Sequence, residues 1–157
     1  MITYNNQDKV EFTPEMKKTH TILAPMMLPI HLDLVASILN QYGYKVEVLK
    51  TTHQGIIDEG LKNVHNDICY PALLVIGQMM DALKSGKYDP DKTALMITQT
   101  GGGCRASNYI YLLRKALKNN GFGQVPVISV NLSNFEKNGG FQLTLPILIK
   151  ASFALLY

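Results

Sequence analysis

Tryptophan is absent from the 157 residues, and arginine and cysteine occur twice each. Two cysteines cannot build the disulfide framework of a small secreted fold. Nor can they complete a four-cysteine zinc or iron–sulfur site by themselves. Charge of one sign is scarce as well: 15 Lys and Arg stand against 12 Asp and Glu, for a formal net charge of +3. So mild and scattered a balance argues against a nucleic-acid partner or a membrane surface. Long apolar runs are also missing. Stretches such as Leu73-Leu74-Val75-Ile76 fall far short of the roughly 20 residues that span a bilayer. The opening residues, Met1 to Asp8, show neither the basic nor the apolar part of a secretion signal, so a reducing, cytoplasmic setting is expected.

What is present is ordinary globular material. Apolar residues make up 46% of the chain, enough for a real core at a length that suits one domain. Residues 1–18 carry little apolar periodicity and read as a polar lead-in or linker, leaving 19–157 as the folded unit. Thr21-Ile22-Leu23-Ala24-Pro25 reads as a buried strand ended by proline. Pro29 opens a helix with Leu32, Val35, Ala36, Ile38 and Leu39 on one face, and Gly43 stops it. Tyr44 to Leu49 alternates with period two, as a half-exposed strand near an edge does. Pro71 begins a second helix, in which Leu73, Ile76, Met80 and Leu83 recur until Ser85-Gly86. Ala94 to Thr98 is a third strand, Ala106 to Lys118 a further helix, and Val125 to Val130 a fourth strand.

Strands separated by helices imply crossover connections and a mainly parallel sheet. The expected fold is α/β: a Rossmann-like three-layer domain with about four strands. From Leu143 to Tyr157 an apolar helix begins without a stop signal. It reads either as the last helix of the domain or as a sign that the chain is part of a longer protein.

In an open parallel sheet, ligands gather beyond the carboxyl ends of the strands. Both cysteines are expected there. Cys104 follows Gly101-Gly102-Gly103 directly after a strand, and the glycines allow a sharp turn with close-lying N–H groups. A helix start and Arg105 both favour a thiolate at that position. Cys69 stands in Asn66-Asp67-Ile68-Cys69-Tyr70-Pro71, at the entry to a proline-marked helix. The cysteines lie 35 residues apart, one βα unit, so adjacent turns on one rim are expected to bring them together. The plainer alternative is that each is a buried filler. The glycine turn lacks both the Walker A lysine and the dinucleotide fingerprint, though a bare phosphate would fit it. The histidines His20, His31, His53 and His65 show no spacing for Cys/His catalysis, and the methionines read as core. Tyr109-Ile110-Tyr111 reads as packing, with Asn108 and Tyr109 within reach of a ligand on the glycine turn.

The segments Asn66 to Pro71, Gly77-Gln78, Ala82 to Asp89, Gln99 to Tyr109 and Val125 to Ser129 together resemble the acyl-CoA dehydratase activase-related proteins. Those proteins join activator-type ATPase modules to a region like the 2-hydroxyacyl-CoA dehydratase and benzoyl-CoA reductase subunits. The resemblance runs from about Phe12 to the C-terminus. It implies Cys69 and Cys104 as ligands of a [4Fe–4S] cluster, or of a double-cubane cluster, with a third cysteine outside this chain. Gly101, Gly102 and Gly103 would shape the turn around the cluster, beside Arg105, Asn66 and Asn108. It further implies ATP-driven, low-potential electron transfer to an acyl-CoA or other small substrate. The implied partners are an activator-type ATPase module and the remaining dehydratase-like subdomain, or a second copy in a homodimer. Whether the chain alone is catalytic stays open. Two other readings remain: a non-catalytic binding or assembly domain of the same fold, and a phosphate- or nucleotide-binding module on the Gly101–Gly103 turn.

Overall fold

The computed structural model describes residues 9–27, 29–65, 67–98, 108–130 and 140–156. Four strands, β1 (Thr21–Ala24), β2 (Val46–Val48), β3 (Thr93–Thr98) and β4 (Val127–Val130), form one sheet in the order β2-β1-β3-β4. Every pair is parallel, with Ile22 beside Val46 and Ala94, and Leu95 beside Val127. Helices cover both sides, so the α/β, Rossmann-like expectation holds. Because side chains alternate along a strand, each strand feeds two cores. Ile22, Ala24, Met96 and Ile128 pack with helix α2 (Pro29–Gln41) and the C-terminal helix α6 (Leu145–Leu156). Leu23, Leu95, Ile97 and Val127 pack on the opposite side, with α4 (Tyr70–Lys84) and α5 (Tyr109–Asn119). Burial on both faces makes the central strands continuous apolar runs, while the edge strand β2 alternates.

The punctuation works as the residue types dictate. Pro71 sits in the first turn of α4, where its missing N–H costs nothing. The chain leaves α2 through Gly43 at φ 85° and α5 through Gly121 at φ 79°, a region that L side chains rarely enter. Strand ends are shorter than expected: β2 keeps only Val46–Val48, and β4 begins after Pro126, which has no N–H for the ladder.

Two elements differ from the sequence expectation. Helix α3 (Gln54–Asn63) was not foreseen. It holds Gly55 and Gly60, poor helix formers, but Gly60 is what lets it lie against α4. A Cβ on Gly60 would stand 2.5 Å from the Leu73 carbonyl oxygen, and one on Gly77 would run into the Ile56 carbonyl. The segment before β1, read as a polar lead-in, contributes Phe12 to the core, with Met16 packed against it. Phe12 is 1% exposed, its carbonyl accepts from Gly140 N–H at 2.7 Å, and a short helix, α1 (Met16–Thr19), follows it.

Candidate functional site

The connections leave β1 and β3 in opposite directions across the sheet. One passes through α2 to β2 and the other through α5 to β4. The crevice between the carboxyl ends of β1 and β3 is therefore the topological switch point, where open α/β sheets bind ligands. Thr98, at the end of β3, places Oγ1 3.6 Å from Sδ of Met27, just past β1. Beneath this contact a cavity of about 80 Å³ is lined by Pro25, Met27, Leu32, Met96, Thr98 and Val130 among others. Its apolar walls suit hydrocarbon rather than charge.

Gln78 organises the same rim from the other side. It is 6% exposed in the middle of α4. Its Oε1 accepts from Met26 N–H at 2.9 Å, and its Nε2 donates to the carbonyls of Leu49 and Thr51 at 3.1 and 2.9 Å. One side chain thus fastens the chain leaving β1 and the chain leaving β2 to α4. A polar residue inside an otherwise apolar helix face is the only sequence sign of such a role.

Cys69 stands at the N-cap of α4, half-buried, with φ −65° and ψ 144°. It makes no side-chain bond to the first-turn N–H groups. Those donors and the positive end of the helix dipole favour a negative sulfur at this position. Its Sγ lies 3.0 Å from Tyr109 Oη. Tyr109 is the first residue of α5 and is buried, so the hydroxyl joins the starts of α4 and α5. Asn108 is the N-cap of α5, half-buried, and likewise makes no side-chain capping bond. The Tyr109 side chain therefore links the start of α5 to a thiol at the start of α4, and a helix N-terminus with a hydroxyl beside it is an environment suited to thiolate chemistry.

Of the residues expected in the site, Cys69 and Asn108 stand at neighbouring helix starts. Cys104, Gly101, Gly102, Gly103, Arg105 and Asn66 lie outside the described residues, and with them the distance between the two sulfurs. Among the described residues no group of three or more His, Cys, Asp or Glu side chains is arranged to hold a metal ion. His31 is half-buried in the first turn of α2, and His53 pairs with Asp81 at 3.1 Å on the α3–α4 side. Tyr109, read mainly as packing, proves to be a residue in contact with Cys69. Met79 and Met80 are core as expected, but Met27 is 41% exposed at the switch point.

Comparison with protein-family models, curated proteins and solved structures returned no match. Among the described residues no helix is long and apolar enough to cross a membrane.

Proposed function

We propose that this domain is an iron–sulfur cluster-binding subdomain of the dehydratase and activase-related type. It would serve ATP-driven, low-potential electron transfer to an acyl-CoA or other small substrate in a cytoplasmic setting. The observation that carries the reading is the Cys69–Tyr109 contact, which links a thiol at the start of α4 to the first residue of α5. Tyr109 stands five residues after Cys104 in sequence, and Thr98, which precedes the glycine run, ends a strand at the switch point. Cys69 has the chemistry that a thiolate-held group requires: a sulfur at a helix N-terminus with a phenolic hydroxyl in hydrogen-bonding distance. Cys69 and Cys104 would hold the group, with further coordination from outside this chain. When bound, such a cluster supplies one-electron transfer at low potential.

The chain's own residues act on charge and position. The Tyr109 hydroxyl donates to the Cys69 thiolate and spreads its negative charge. Gln78 keeps α4, and with it Cys69, fixed against the ends of β1 and β2. The apolar pocket beneath Met27 and Thr98 keeps water from one side of the rim.

Anaerobic reconstitution with iron and sulfide tests the reading, with excess mercaptoethanol to fill the remaining coordination positions. The expected result is a broad absorption band near about 400 nm, typical of thiolate-held clusters, and bound iron that is lost in Cys69→Ser and in Cys104→Ser. Absence of the band, or iron in either variant equal to that of the unsubstituted chain, would refute it. Saturable nucleotide binding by the metal-free chain would favour the phosphate-binding alternative instead.

A further inference from the structure

We propose that the free edge of β2 is a docking slot for an uncharged, extended peptide segment, which joins the sheet there as an added strand. Strand β2 lies at the end of the sheet order, so among the described residues no strand pairs with its outer side. Ile22 N–H donates to the Lys45 carbonyl, and Leu49 N–H to the Ala24 carbonyl. With Ile22 beside Val46 and Ala24 beside Val48, a parallel ladder turns the N–H and C=O of Val46 and Val48 away from β1. At Val46 those groups are taken by one side chain. Asn40 Oδ1 accepts from Val46 N–H at 2.7 Å, and Asn40 Nδ2 donates to the Val46 carbonyl at 3.2 Å. The Asn40 carboxamide therefore stands where the peptide group of an adjoining strand would stand.

Val48 has no such substitute among the described residues, although only 8% of it is exposed. A main-chain pair left open at a sheet edge is a template for a further strand. Beside it lies a cavity of about 860 Å³, floored by the chain from Val46 to Thr51. Its walls come from α2, from α4 and from the turn after α4, and between the charged and aromatic residues of the rim they present small side chains, Ala36 and Ser37 on one wall, Ala82 and Ser85 on the other. Short walls on both faces leave room for a strand at the ordinary spacing of roughly 4.8 Å. The charged groups at the rim already hold one another, Lys50 with Asp33 at 2.8 Å, Lys87 with Glu47 at 2.8 Å and His53 with Asp81 at 3.1 Å. That arrangement leaves little for a charged ligand and favours a segment recognised through its main chain, the mode known as strand addition.

The test is independent of iron and uses the metal-free chain. The probe is the blocked pentapeptide Ac-Thr-Val-Ser-Val-Thr-NH2, with a fully N-methylated analogue that keeps the side chains and loses the amide donors. In the free chain the Val48 amide should exchange its hydrogen with solvent much faster than the Glu47 amide. At about 1 mM peptide, a concentration suited to weak strand addition, the Val48 resonance should shift and its exchange should slow at least tenfold. The N-methylated analogue should do neither, and Ser37→Leu, on the exposed wall of α2, should abolish the effect while leaving the melting temperature unchanged. An unmoved Val48 amide would overturn the proposal. So would equal binding of the N-methylated analogue, which would make the cavity a side-chain or small-molecule pocket only.

Discussion

Helices α4 and α6 are both rich in apolar residues, yet the molecule treats them differently. In α4 the buried set runs from Ala72 to Leu83 and includes Gly77 and Gln78. It is enclosed by the sheet, by α3 and by α5. In α6, Ile147 is buried while Leu145, Leu148, Ile149 and Phe153 stay exposed, because among the described residues its main helix partner is α2. Apolar composition therefore states a demand for cover, and topology decides whether neighbours meet it. Three layers of contact meet it for α4. For α6, among the described residues, α2 meets it mainly along one line, and the exposed side chains form a surface of the kind that associates readily.

That contrast can be broken most strongly where α3 and α4 touch. Gly77→Val drives a side chain into the backbone of α3 and should cost about 4 kcal/mol or more, enough to remove the cooperative urea transition. Gln78→Leu keeps the volume but strands one N–H and two carbonyls at the rim. The expected loss is about 3 kcal/mol, read from the urea midpoint. Glu59 on α3 sharpens the comparison through pH. Its hydrogen bond to Lys84 at 2.6 Å, with a second one to Lys62, holds its carboxyl below the usual range. A lowered carboxyl pKa gives stability that is full above the unfolded value and is lost as pH falls through the folded one. Glu59→Gln should therefore cost about 0.5–1 kcal/mol at pH 7, nothing once both states are protonated, and flatten the acid limb of a stability curve. On α6, Phe153→Ser should change stability by no more than about 0.5 kcal/mol, while reducing self-association in sedimentation velocity.

A separate expectation concerns the thiol. Tyr109→Phe removes the hydroxyl beside Cys69, so the thiolate loses a donor and the thiol pKa rises. Alkylation of Cys69 by iodoacetamide near neutral pH should slow, measured by mass spectrometry on the metal-free chain.

Much of the fold was legible because proline and glycine mark its joints. Pro29, Gly43, Pro71, Gly86 and Gly121 bound α2, α4 and α5 where their backbone preferences say they should. Helix α3 escaped notice because its glycines lower helix propensity, and their value appears only when α4 is laid against them. Phe12 escaped because one aromatic in a polar stretch has no period to betray it. At the candidate site the placement of Cys69 at a helix entry was readable from Pro71. Its contact with Tyr109 was not, since the two residues lie 40 positions apart and meet through the packing of α4 on α5. Gln78 was hidden for a similar reason: its partners sit at two strand ends distant in sequence.

The carboxamide that caps Val46 also acts as a ruler. With that rung of the ladder already filled, an incoming chain cannot slide freely along the β2 border, and its first available pairing begins at Val48. Because a one-residue slip in a sheet exchanges which side chains face up and which face down, a single asparagine fixes the frame in which any visitor is read.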